Sequence, residues 1–302
     1  MDFQAFDAAC KGCGCDNLTS EPMALHTTFQ IGGPADRLVT VYTLPQLKTV
    51  LMAARESGMP LFPLGKGSNL LITDKGMRGI VLHLAGDFKE MRRLSPTAIY
   101  VPAGASLAAA ARFACEQELT GFEFAWGIPG SVGGALYMNA GAYGGEMRDI
   151  VSSVTYAAPD GEILTAERND LHFAYRKSRF TGTNDIILGA VIELQHGVTS
   201  EIQAVMDDLM ARRKAKQPYD LPSAGSTFKR PEGCYAAALI ESCGLKGKSF
   251  GGAMVSTKHA GFIINHDHAT CRDVLGLIDE VKKEVWEQKQ IHLECEVKIC
   301  GE

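Results

Sequence analysis

One stretch of the sequence, residues 121–147, is so rich in glycine that it restricts what the chain around it can form. It reads GFEFAWGIPGSVGGALYMNAGAYGGEM, with glycines at 121, 127, 130, 133, 134, 141, 144 and 145. Glycine destabilises helices and strands, so a cluster this dense serves another purpose. Glycines permit turns with positive φ and let bare backbone N–H groups approach an anion. We predict a backbone cradle for a phosphate-bearing cofactor; an ordinary glycine-rich loop is the alternative.

Length and charge narrow the class of protein. A chain of 302 residues is long enough for about two domains. With a net charge of −5, it has no basic field to recruit nucleic acid or a membrane surface. Its acidic start, MDFQAFDAAC, lacks the basic residues and apolar run of a signal peptide, and no apolar run approaches the roughly 20 residues of a membrane span. We expect a cytoplasmic protein with no nucleic-acid or membrane partner.

The cysteines raise the question of a metal site. Nine cysteines in a chain of this kind indicate free thiols rather than a disulfide framework. Three of them, Cys10, Cys13 and Cys15, follow a C-x-x-C-x-C spacing without a nearby fourth ligand. We expect an incidental thiol-rich segment and no metal, with a metal site as the alternative.

The first part of the chain predicts an α/β lobe. Residues 1–25 are a poorly patterned lead-in with a helix around Phe3 to Cys10, and the lobe itself covers residues 26–85. Its expected elements are a strand at Leu38–Tyr42, a helix opened by Pro45 and ending near Gly58, and strands at Leu61–Leu64 and Gly79–Leu84. The glycine turn 65–69 follows a strand, at the edge where open α/β sheets bind ligands.

A second lobe is predicted over residues 86–199. Its expected elements are a strand at Ile99–Pro102, a helix at 107–118 capped by Ser106, strands at 151–158 and 162–166 around the turn Pro159-Asp160-Gly161, and a strand at Ile186–Leu194. The two lobes together form a domain over residues 26–199.

The sequence changes character near residue 200, where we place a domain boundary. Ser200 and Gln203 fit a capping box that starts a helix with Ile202, Val205, Met206 and Leu209 on one face. The domain over residues 200–302 is then expected to contain a loop at 217–233, a helix at about 271–288 and a closing strand, IHLECEVKI, which alternates strictly between apolar and polar residues.

Two common nucleotide-binding fingerprints are absent from the glycine loops. Gly65-x-Gly67 is followed by Leu70 where a third glycine would be needed, and the loop 127–134 has the wrong spacing for a dinucleotide fold. Gly247-Lys248-Ser249 has the end of a phosphate loop, but residue 242, where the first glycine belongs, is Ser242. What remains is a pair of short loops, 65–69 and 127–134, that could clamp one pyrophosphate from both sides.

Six motifs in order carry a resemblance to a known family. They are PLGKGSNLLITD, GIPGSVGGALYMNAGAYGGE, YRKSRF, SAGSTFKRP, HAGFIIN and LECEV, spanning about residues 26 to 300. The chain resembles the UDP-N-acetylenolpyruvoylglucosamine reductases in their shorter, type II form, since residues 217–302 leave no room for the longer form's insertion. The resemblance implies an α+β fold, with a two-lobed FAD-binding domain of the vanillyl-alcohol-oxidase type followed by a smaller α/β substrate-binding domain.

The resemblance also implies a reaction and its cofactors. Members of the family use NADPH and FAD to reduce UDP-N-acetylglucosamine enolpyruvate to UDP-N-acetylmuramate in peptidoglycan precursor synthesis. The implied FAD-binding residues lie in the two glycine loops: Gly65, Lys66, Gly67, Ser68, Asn69, Gly127, Ile128, Pro129, Gly130, Ser131, Val132, Gly133 and Gly134.

Three catalytic positions follow from the same resemblance. Arg176, in YRKS, would hold the substrate carboxylate and stabilise the negative charge that develops beside it. Ser226, directly after Gly225 in SAGS, would deliver a proton to the carbanion. Glu296, the second glutamate of LECEV, would hydrogen-bond the intermediate; the residues alone do not choose between it and Glu294.

Substrate contacts are implied less sharply. Tyr175, Lys216 and Lys229 are candidates to contact the UDP-sugar, whereas Arg230 replaces an asparagine of some members and His259 is either a site residue or a structural one.

A monomer is expected. Two rival functions are an FAD-dependent oxidase of a small alcohol or sugar, and a non-catalytic nucleotide-sugar binding protein. An intact set of three catalytic positions argues against the second rival.

Overall fold

The computed structural model of the protein describes residues 2–302, and contacts among them define two compact units. The first unit comprises residues 2–19, 37–66 and 79–211, and the second comprises residues 20–36, 67–78 and 212–302. The chain therefore enters each unit more than once. The domain boundary near residue 200 stays a prediction; one continuous helix, from Thr199 to Lys216, runs through that region.

Eight α-helices lie within the described residues. They are α1 (Gln4–Cys13), α2 (Leu44–Glu56), α3 (Leu107–Glu116), α4 (Val132–Met138), α5 (Met147–Ile150), α6 (Thr199–Lys216), α7 (Ala236–Ser242) and α8 (Cys271–Lys289). The Ser106 cap predicted for α3 is confirmed, since its Oγ accepts the N–H of Ala109 at 3.1 Å. No helix within residues 2–302 has both the length and the apolar character needed to cross a membrane.

Most strands of the described residues are short. They are β1 (Asp16–Pro22), β2 (Pro34–Val41), β3 (Leu61–Leu64), β4 (Leu70–Ile72), β5 (Met77–Leu84), β6 (Arg92–Arg93), β7 (Ala98–Pro102), β8 (Leu119–Thr120), β9 (Gly141–Ala142), β10 (Gly145–Glu146), β11 (Val151–Ala157), β12 (Ile163–Glu167), β13 (Ile186–Glu193), β14 (Gln195–His196), β15 (Ser249–Phe250), β16 (Ala253–Val255), β17 (Ile263–Asn265) and β18 (Lys298–Cys300). The larger sheets have the orders β1-β2-β5-β3, β12-β11-β13-β7-β6 and β15-β16-β17.

The first unit has a large apolar core. The apolar face of α2 supplies Leu47 and Val50, which are fully buried with Ile80 and Leu82 of β5 in the same cluster. Burying each such side chain contributes about 1.5–3 kcal/mol. The strand β3 has the predicted limits and pairs in parallel with β5, so the glycine turn after Leu64 lies at its carboxyl end.

The hairpin predicted around Pro159-Asp160-Gly161 is confirmed. Strands β11 and β12 pair antiparallel with Ala157 opposite Ile163, and Gly161 has φ = +88°, as such a turn requires. The hairpin forms one side of the five-stranded sheet of the first unit.

The second unit is built around α8. Its predicted apolar face is confirmed, because Val274, Leu277, Ile278, Val281 and Val285 are all buried. The helix starts with a capping box in which Thr270 accepts the N–H of Asp273 at 3.1 Å and the Asp273 carboxylate accepts the N–H of Thr270 at 2.9 Å. That backbone hydrogen bond from Thr270 lowers the pKa of Asp273.

Two predictions for helical segments were wrong. Helix α6 begins at Thr199, so Ser200 lies inside its first turn and cannot be its N-cap; Gln203 instead donates to Asp207 at 2.9 Å. Along the same helix, Ile202 and Met206 are buried, but Val205 is 47% exposed. By contrast, the helix predicted around Phe3 to Cys10 is confirmed by α1, and β1 follows it in the lead-in.

The closing strand was predicted too long. The segment 291–299 forms a β-bridge between Phe228 and Cys295 and then a separate short parallel pair of β18 with β4. The side chains of Leu293 and Val297 are buried as the alternation indicates, whereas Ile299 is 48% exposed. The segment pairs with Phe228 at Cys295 and with β4 from Lys298 onward. Because its partner changes, a different face of the segment is covered after residue 297.

Candidate active site

The glycine loop 127–134 leads into α4, and the fold already uses several of its N–H groups. Ser131 is the N-cap of α4, and its Oγ accepts the N–H of Gly134 at 3.2 Å. The N–H groups of Val132 and Gly133 donate at 2.9 Å to backbone carbonyls just before α3. These three amides are therefore not available as phosphate donors, although their residues were predicted as part of the cradle.

Three other N–H groups of this loop remain available. Within residues 2–302, no acceptor takes up the N–H groups of Gly127, Gly130 and Ser131, whereas that of Ile128 donates to Ala125 at 3.1 Å. Unused amides of this kind need a partner outside the chain. The loop therefore offers a small set of donors that suits an anionic ligand.

The first part of the other glycine loop meets this one inside the first unit. A Cβ at Gly65 would clash with Ser131 Oγ, the atom that caps α4. Only glycine therefore fits position 65 without displacing the cap. The two glycine loops therefore lie against each other at Gly65 and Ser131, and the exposed side chain of Lys66 follows directly. That they clamp a pyrophosphate stays a prediction.

The second part of the loop 65–69 belongs to the second unit. Gly67 has φ = +60°, and a Cβ there would clash with the carbonyl of His26. Asn69 accepts the N–H of Lys298 at 2.9 Å and donates from Nδ2 to the carbonyl of Glu296 at 3.3 Å. Asn69 thus holds the segment that carries a predicted catalytic glutamate, a role that sequence spacing did not reveal.

The later glycines of the 121–147 stretch form a hairpin rather than a cradle. Strands β9 and β10 are joined by Tyr143 and Gly144, both with positive φ. A Cβ at Gly145 would come within 2.7 Å of the Phe124 ring, so this glycine lets the hairpin pack closely. The glycine count therefore has two causes, a loop with free amides and a tight hairpin.

Arg176 lies at a turn with an unusual backbone. Residues Ala174 and Lys177 exchange hydrogen bonds of 3.0 and 3.1 Å, which leaves Tyr175 and Arg176 as the two central residues. Arg176 has φ = +57°, a conformation that a non-glycine residue adopts at a cost of about 1–2 kcal/mol. Its guanidinium carbon lies 5.0 Å from the centre of the Tyr175 ring. Such local strain is typical of functional positions.

Ser226 and Glu296 lie on two paired segments of the second unit. Gly225 has φ = +75°, and the exposed Ser226 follows it. The N–H of Glu296 donates to the carbonyl of Thr227 at 2.8 Å, and Thr227 donates to the carbonyl of Gly261 at 2.8 Å. The structure thus brings together these two predicted catalytic residues, which are 70 positions apart in the numbering.

The structure also distinguishes the two glutamates of LECEV. Glu294 forms an ion pair with Lys229 at 2.8 Å, and its side chain is 72% exposed. Glu296 is partly buried. The ion pair gives Glu294 and Lys229 a structural explanation, so Lys229 is a weaker candidate for substrate contact than its motif suggested.

The remaining substrate candidates have mixed surroundings. Lys216 is the exposed last residue of α6. Two residues earlier, the carbonyl of Lys214 accepts a hydrogen bond of 2.6 Å from the ammonium of Lys258. The guanidinium of Arg230 lies 4.0 Å from the centre of the Tyr235 ring. The stacking gives Arg230 a local contact that does not depend on a ligand.

His259 has a structural role in the second unit. Its Nδ1 accepts the N–H of Gly261 at 3.2 Å, and its ring meets that of Phe262 edge-on at 5.0 Å. Only a neutral imidazole can accept at Nδ1. Burial lowers the pKa of His259, with Lys246 acting in the same direction and Glu241 opposing it.

This pKa predicts a pH-dependent stability. Because the unfolded chain binds the His259 proton near the ordinary pKa of 6.5 and the folded chain binds it only at lower pH, stability should fall as pH drops below about 6.5. His259→Asn keeps an acceptor but cannot titrate. Urea unfolding at pH 7.5 and 5.5 should show a smaller loss of stability for this variant than for the parent. His172→Asn, at an exposed histidine, should behave like the parent; equal pH responses of all three would refute the assignment.

The cysteine segment has the properties of buried structural thiols. Cys10 and Cys15 are buried, and burial raises the pKa of Cys10 to about 11 and also raises that of Cys15. The thiols of Cys13 and Cys15 donate weakly to the carbonyl of Cys10, at 3.4 and 3.6 Å. In the described part of the chain, no group of three or more His, Cys, Asp or Glu residues is arranged to hold a metal ion.

Two protein-family profiles match the chain. The profile of the FAD binding domain matches residues 35–167, and that of the UDP-N-acetylenolpyruvoylglucosamine reductase C-terminal domain matches residues 217–300. The first range contains both glycine loops, and the second contains Ser226 and Glu296. Together with the α+β fold, they define an FAD-dependent oxidoreductase with a distinct carboxyl-terminal domain.

Relatives define the family within this class. Proteins named UDP-N-acetylenolpyruvoylglucosamine reductase from Geobacillus kaustophilus and Clostridioides difficile are 48% and 47% identical to the chain, over 99% and 95% of it and 98% and 94% of their own lengths. The crystal structure of UDP-N-acetylenolpyruvylglucosamine reductase from Thermus caldophilus matches with a TM-score of 0.80 at 35% identity, covering 95% of this chain and 98% of that one. The chain belongs to the UDP-N-acetylenolpyruvoylglucosamine reductase family.

Family membership confirms several predictions made from the sequence. The fold is the two-domain α+β FAD-binding fold, and the protein is an FAD- and NADPH-dependent oxidoreductase of peptidoglycan precursor synthesis. The individual site residues stay predictions, and their roles are proposed below.

Proposed function

We propose that the protein reduces UDP-N-acetylglucosamine enolpyruvate to UDP-N-acetylmuramate with Arg176, Ser226 and Glu296 as its catalytic residues. The observation that carries this proposal is the pairing of the segment after Ser226 with the segment around Glu296. It places an exposed hydroxyl and a partly buried carboxyl on adjoining backbone segments. The strained turn at Arg176 supports the third assignment.

The reaction adds a hydride and a proton across the vinyl double bond of the substrate. When bound, FAD would take up a hydride from NADPH and, once reduced, would supply it to the terminal vinyl carbon. Arrival of the hydride at the terminal vinyl carbon leaves negative charge on the carbon beside the carboxylate. The protein must stabilise that charge and then protonate the same carbon.

Each catalytic residue has one part in this chemistry. Arg176 holds the substrate carboxylate with a planar, permanently charged group and stabilises the enolate-like charge. Ser226 gives its hydroxyl proton to the charged carbon and takes one back from water at its exposed position. Glu296 is assigned a hydrogen bond to the developing enolate.

The glycine loops are proposed to hold the FAD pyrophosphate. The unused N–H groups of Gly127, Gly130 and Ser131 supply donors, and Gly65 leaves room beside them. The other predicted residues of the two loops are assigned no contact here. The residues present therefore fit a diphosphate group.

Gly65→Ala should weaken FAD binding. The new Cβ would push Ser131 Oγ away from Gly134 and narrow the cradle. We expect the dissociation constant for FAD to rise about tenfold, which corresponds to about 1.4 kcal/mol. Fluorescence titration of flavin-free protein measures it. Gly12→Ala is the matched control, because a Cβ there meets nothing within 4 Å. An unchanged affinity in Gly65→Ala would remove position 65 from the cradle.

The nucleotide-sugar is proposed to contact Tyr175 and Lys216. Tyr175 is 49% exposed beside Arg176, and Lys216 adds a cation that suits a diphosphate. Lys229 remains a third candidate if substrate displaces Glu294 from it.

A cytoplasmic location and a monomeric state complete the proposal. Light scattering coupled to gel filtration tests the monomeric state.

One spectroscopic experiment tests the whole function. Purified protein should be yellow, release its flavin on acid denaturation and bleach with NADPH under anaerobic conditions. Adding UDP-N-acetylglucosamine enolpyruvate should restore the colour, because the substrate takes up the hydride. A colourless protein that does not take up FAD would overturn the proposal.

A further inference from the structure

Two buried side chains fasten the Arg176 turn to the end of α4. Asn139 is fully buried, and its Nδ2 donates to the carbonyl of Ala174 at 3.2 Å. Ser178, which is 7% exposed, donates from Oγ to the carbonyl of Tyr137 at 2.9 Å. The two bonds lie on either side of the turn in the sequence. All these residues belong to the first unit.

The amide of Asn139 is fully engaged. Its Oδ1 accepts the N–H of Arg148 at 3.0 Å, and its Nδ2 donates a second bond to Glu146 at 2.8 Å. The residue ends α4 in the left-handed conformation, with φ = +44°, which asparagine tolerates better than other side chains. With its backbone and every amide atom fixed, the side chain has one orientation.

That orientation bears directly on Arg176. The carbonyl of Ala174 that Asn139 binds also accepts the N–H of Lys177, the bond that closes the turn. A shift of this carbonyl therefore moves the backbone of the turn that contains Arg176. Because Arg176 is in a strained conformation, its place depends on such surrounding contacts.

We infer that Asn139 is a positioning residue for Arg176, with Ser178 as a second anchor. The inference rests on the catalytic role proposed for Arg176. Asn139 acts through the Ala174 carbonyl and is assigned no contact with substrate or flavin. Asn139, which lies within the glycine-rich stretch, thus serves the proposed catalytic arginine.

The alternative is that Asn139 only ends the helix. Both roles predict a loss of stability when its side chain is removed, so stability does not separate them. They differ in whether the effect on catalysis depends on Arg176. A double-mutant cycle measures that dependence directly.

The experiment uses Asn139→Gly, since glycine accepts the left-handed backbone, alone and combined with Arg176→Ala. With Arg176 present, the rate of flavin reoxidation at saturating UDP-N-acetylglucosamine enolpyruvate should fall about tenfold. The flavin content and the rate of flavin reduction by NADPH should stay unchanged. With Arg176→Ala, the substitution at Asn139 should cause no further fall.

Glu146→Gln is the matched control. Glutamine still offers an oxygen to Asn139, so the anchor is kept while the ion pair between Glu146 and Arg148 is lost. This variant should reoxidise its flavin at the parent rate. A rate as low as that of Asn139→Gly would show that charge, rather than the anchor, matters, and would overturn the inference.

The outcomes separate this inference from the proposed function. If Asn139→Gly slows reoxidation equally with and without Arg176, the positioning role is wrong while the role of Arg176 stands. If Arg176→Ala alone has no effect, the role of Arg176 is wrong and the inference falls with it. Should Asn139→Gly not fold, Ser178→Ala tests the second anchor in the same cycle, with about a threefold fall expected from one lost hydrogen bond.

Discussion

Ser226→Ala should leave reduction of the flavin by NADPH intact and slow reoxidation by UDP-N-acetylglucosamine enolpyruvate by about 10²–10⁴-fold, the usual contribution of a positioned proton donor. The reason is that, in the proposed mechanism, the hydroxyl supplies the proton that completes the reaction, whereas reduction by NADPH does not need it. Stopped-flow absorbance of the flavin under anaerobic conditions resolves the two half-reactions.

Ser223→Ala is the control for this substitution. Ser223 lies three residues away, and its backbone, rather than its hydroxyl, bonds Thr28: the carbonyl accepts from Oγ1 at 2.7 Å and the N–H donates at 3.2 Å. The control should reoxidise its flavin normally. Reoxidation of Ser226→Ala at the rate of this control would take the proton-donor role away from Ser226.

Local signals in the sequence predicted much of the fold because they act over a few residues. Ser106 caps α3 by bonding an amide three residues on, and Pro159-Asp160-Gly161 turns the chain within a hairpin. The alternating pattern of the closing segment was less reliable. The alternation over residues 291–299 does not reveal that the segment leaves Phe228 for β4 before its end, so Ile299 is exposed against expectation.

In the candidate site, too, local signals were predicted from the sequence and contacts with distant residues were not. The glycine stretch indicated a backbone with special requirements, but composition could not separate the free amides at Gly127 and Gly130 from the hairpin built by Gly144 and Gly145. That separation depends on which carbonyls lie nearby, and those come from distant parts of the chain.

The predicted catalytic residues illustrate why motif and structure complement each other. Two glutamates on one polar face are equivalent by pattern, yet Lys229, 65 residues away, pairs with Glu294 and leaves Glu296 beside Thr227. Asn139 was missed altogether, because an asparagine among glycines is an ordinary turn signal. Its hydrogen bond to Ala174 spans 35 residues.

Arg176→Ala should slow flavin reoxidation by the substrate about 10²–10³-fold, as expected for loss of a charged group that stabilises negative charge in the transition state. Arg176→Lys should be intermediate, since an ammonium keeps the charge but not the planar pair of donors. Reduction by NADPH should be unchanged in both. Lys177→Ala, which removes a neighbouring exposed charge from the same turn, should have little effect.

Arg176→Gly separates the function of this residue from its contribution to folding. Glycine relieves the cost of φ = +57°, about 1–2 kcal/mol, but it forfeits the contact with the Tyr175 ring, about 0.5–1 kcal/mol, and makes the unfolded chain more flexible. The stability measured by urea unfolding should therefore stay within about 1 kcal/mol of the parent while reoxidation falls as in Arg176→Ala. A variant that loses stability and activity in parallel would mean that Arg176 supports the fold instead of the reaction.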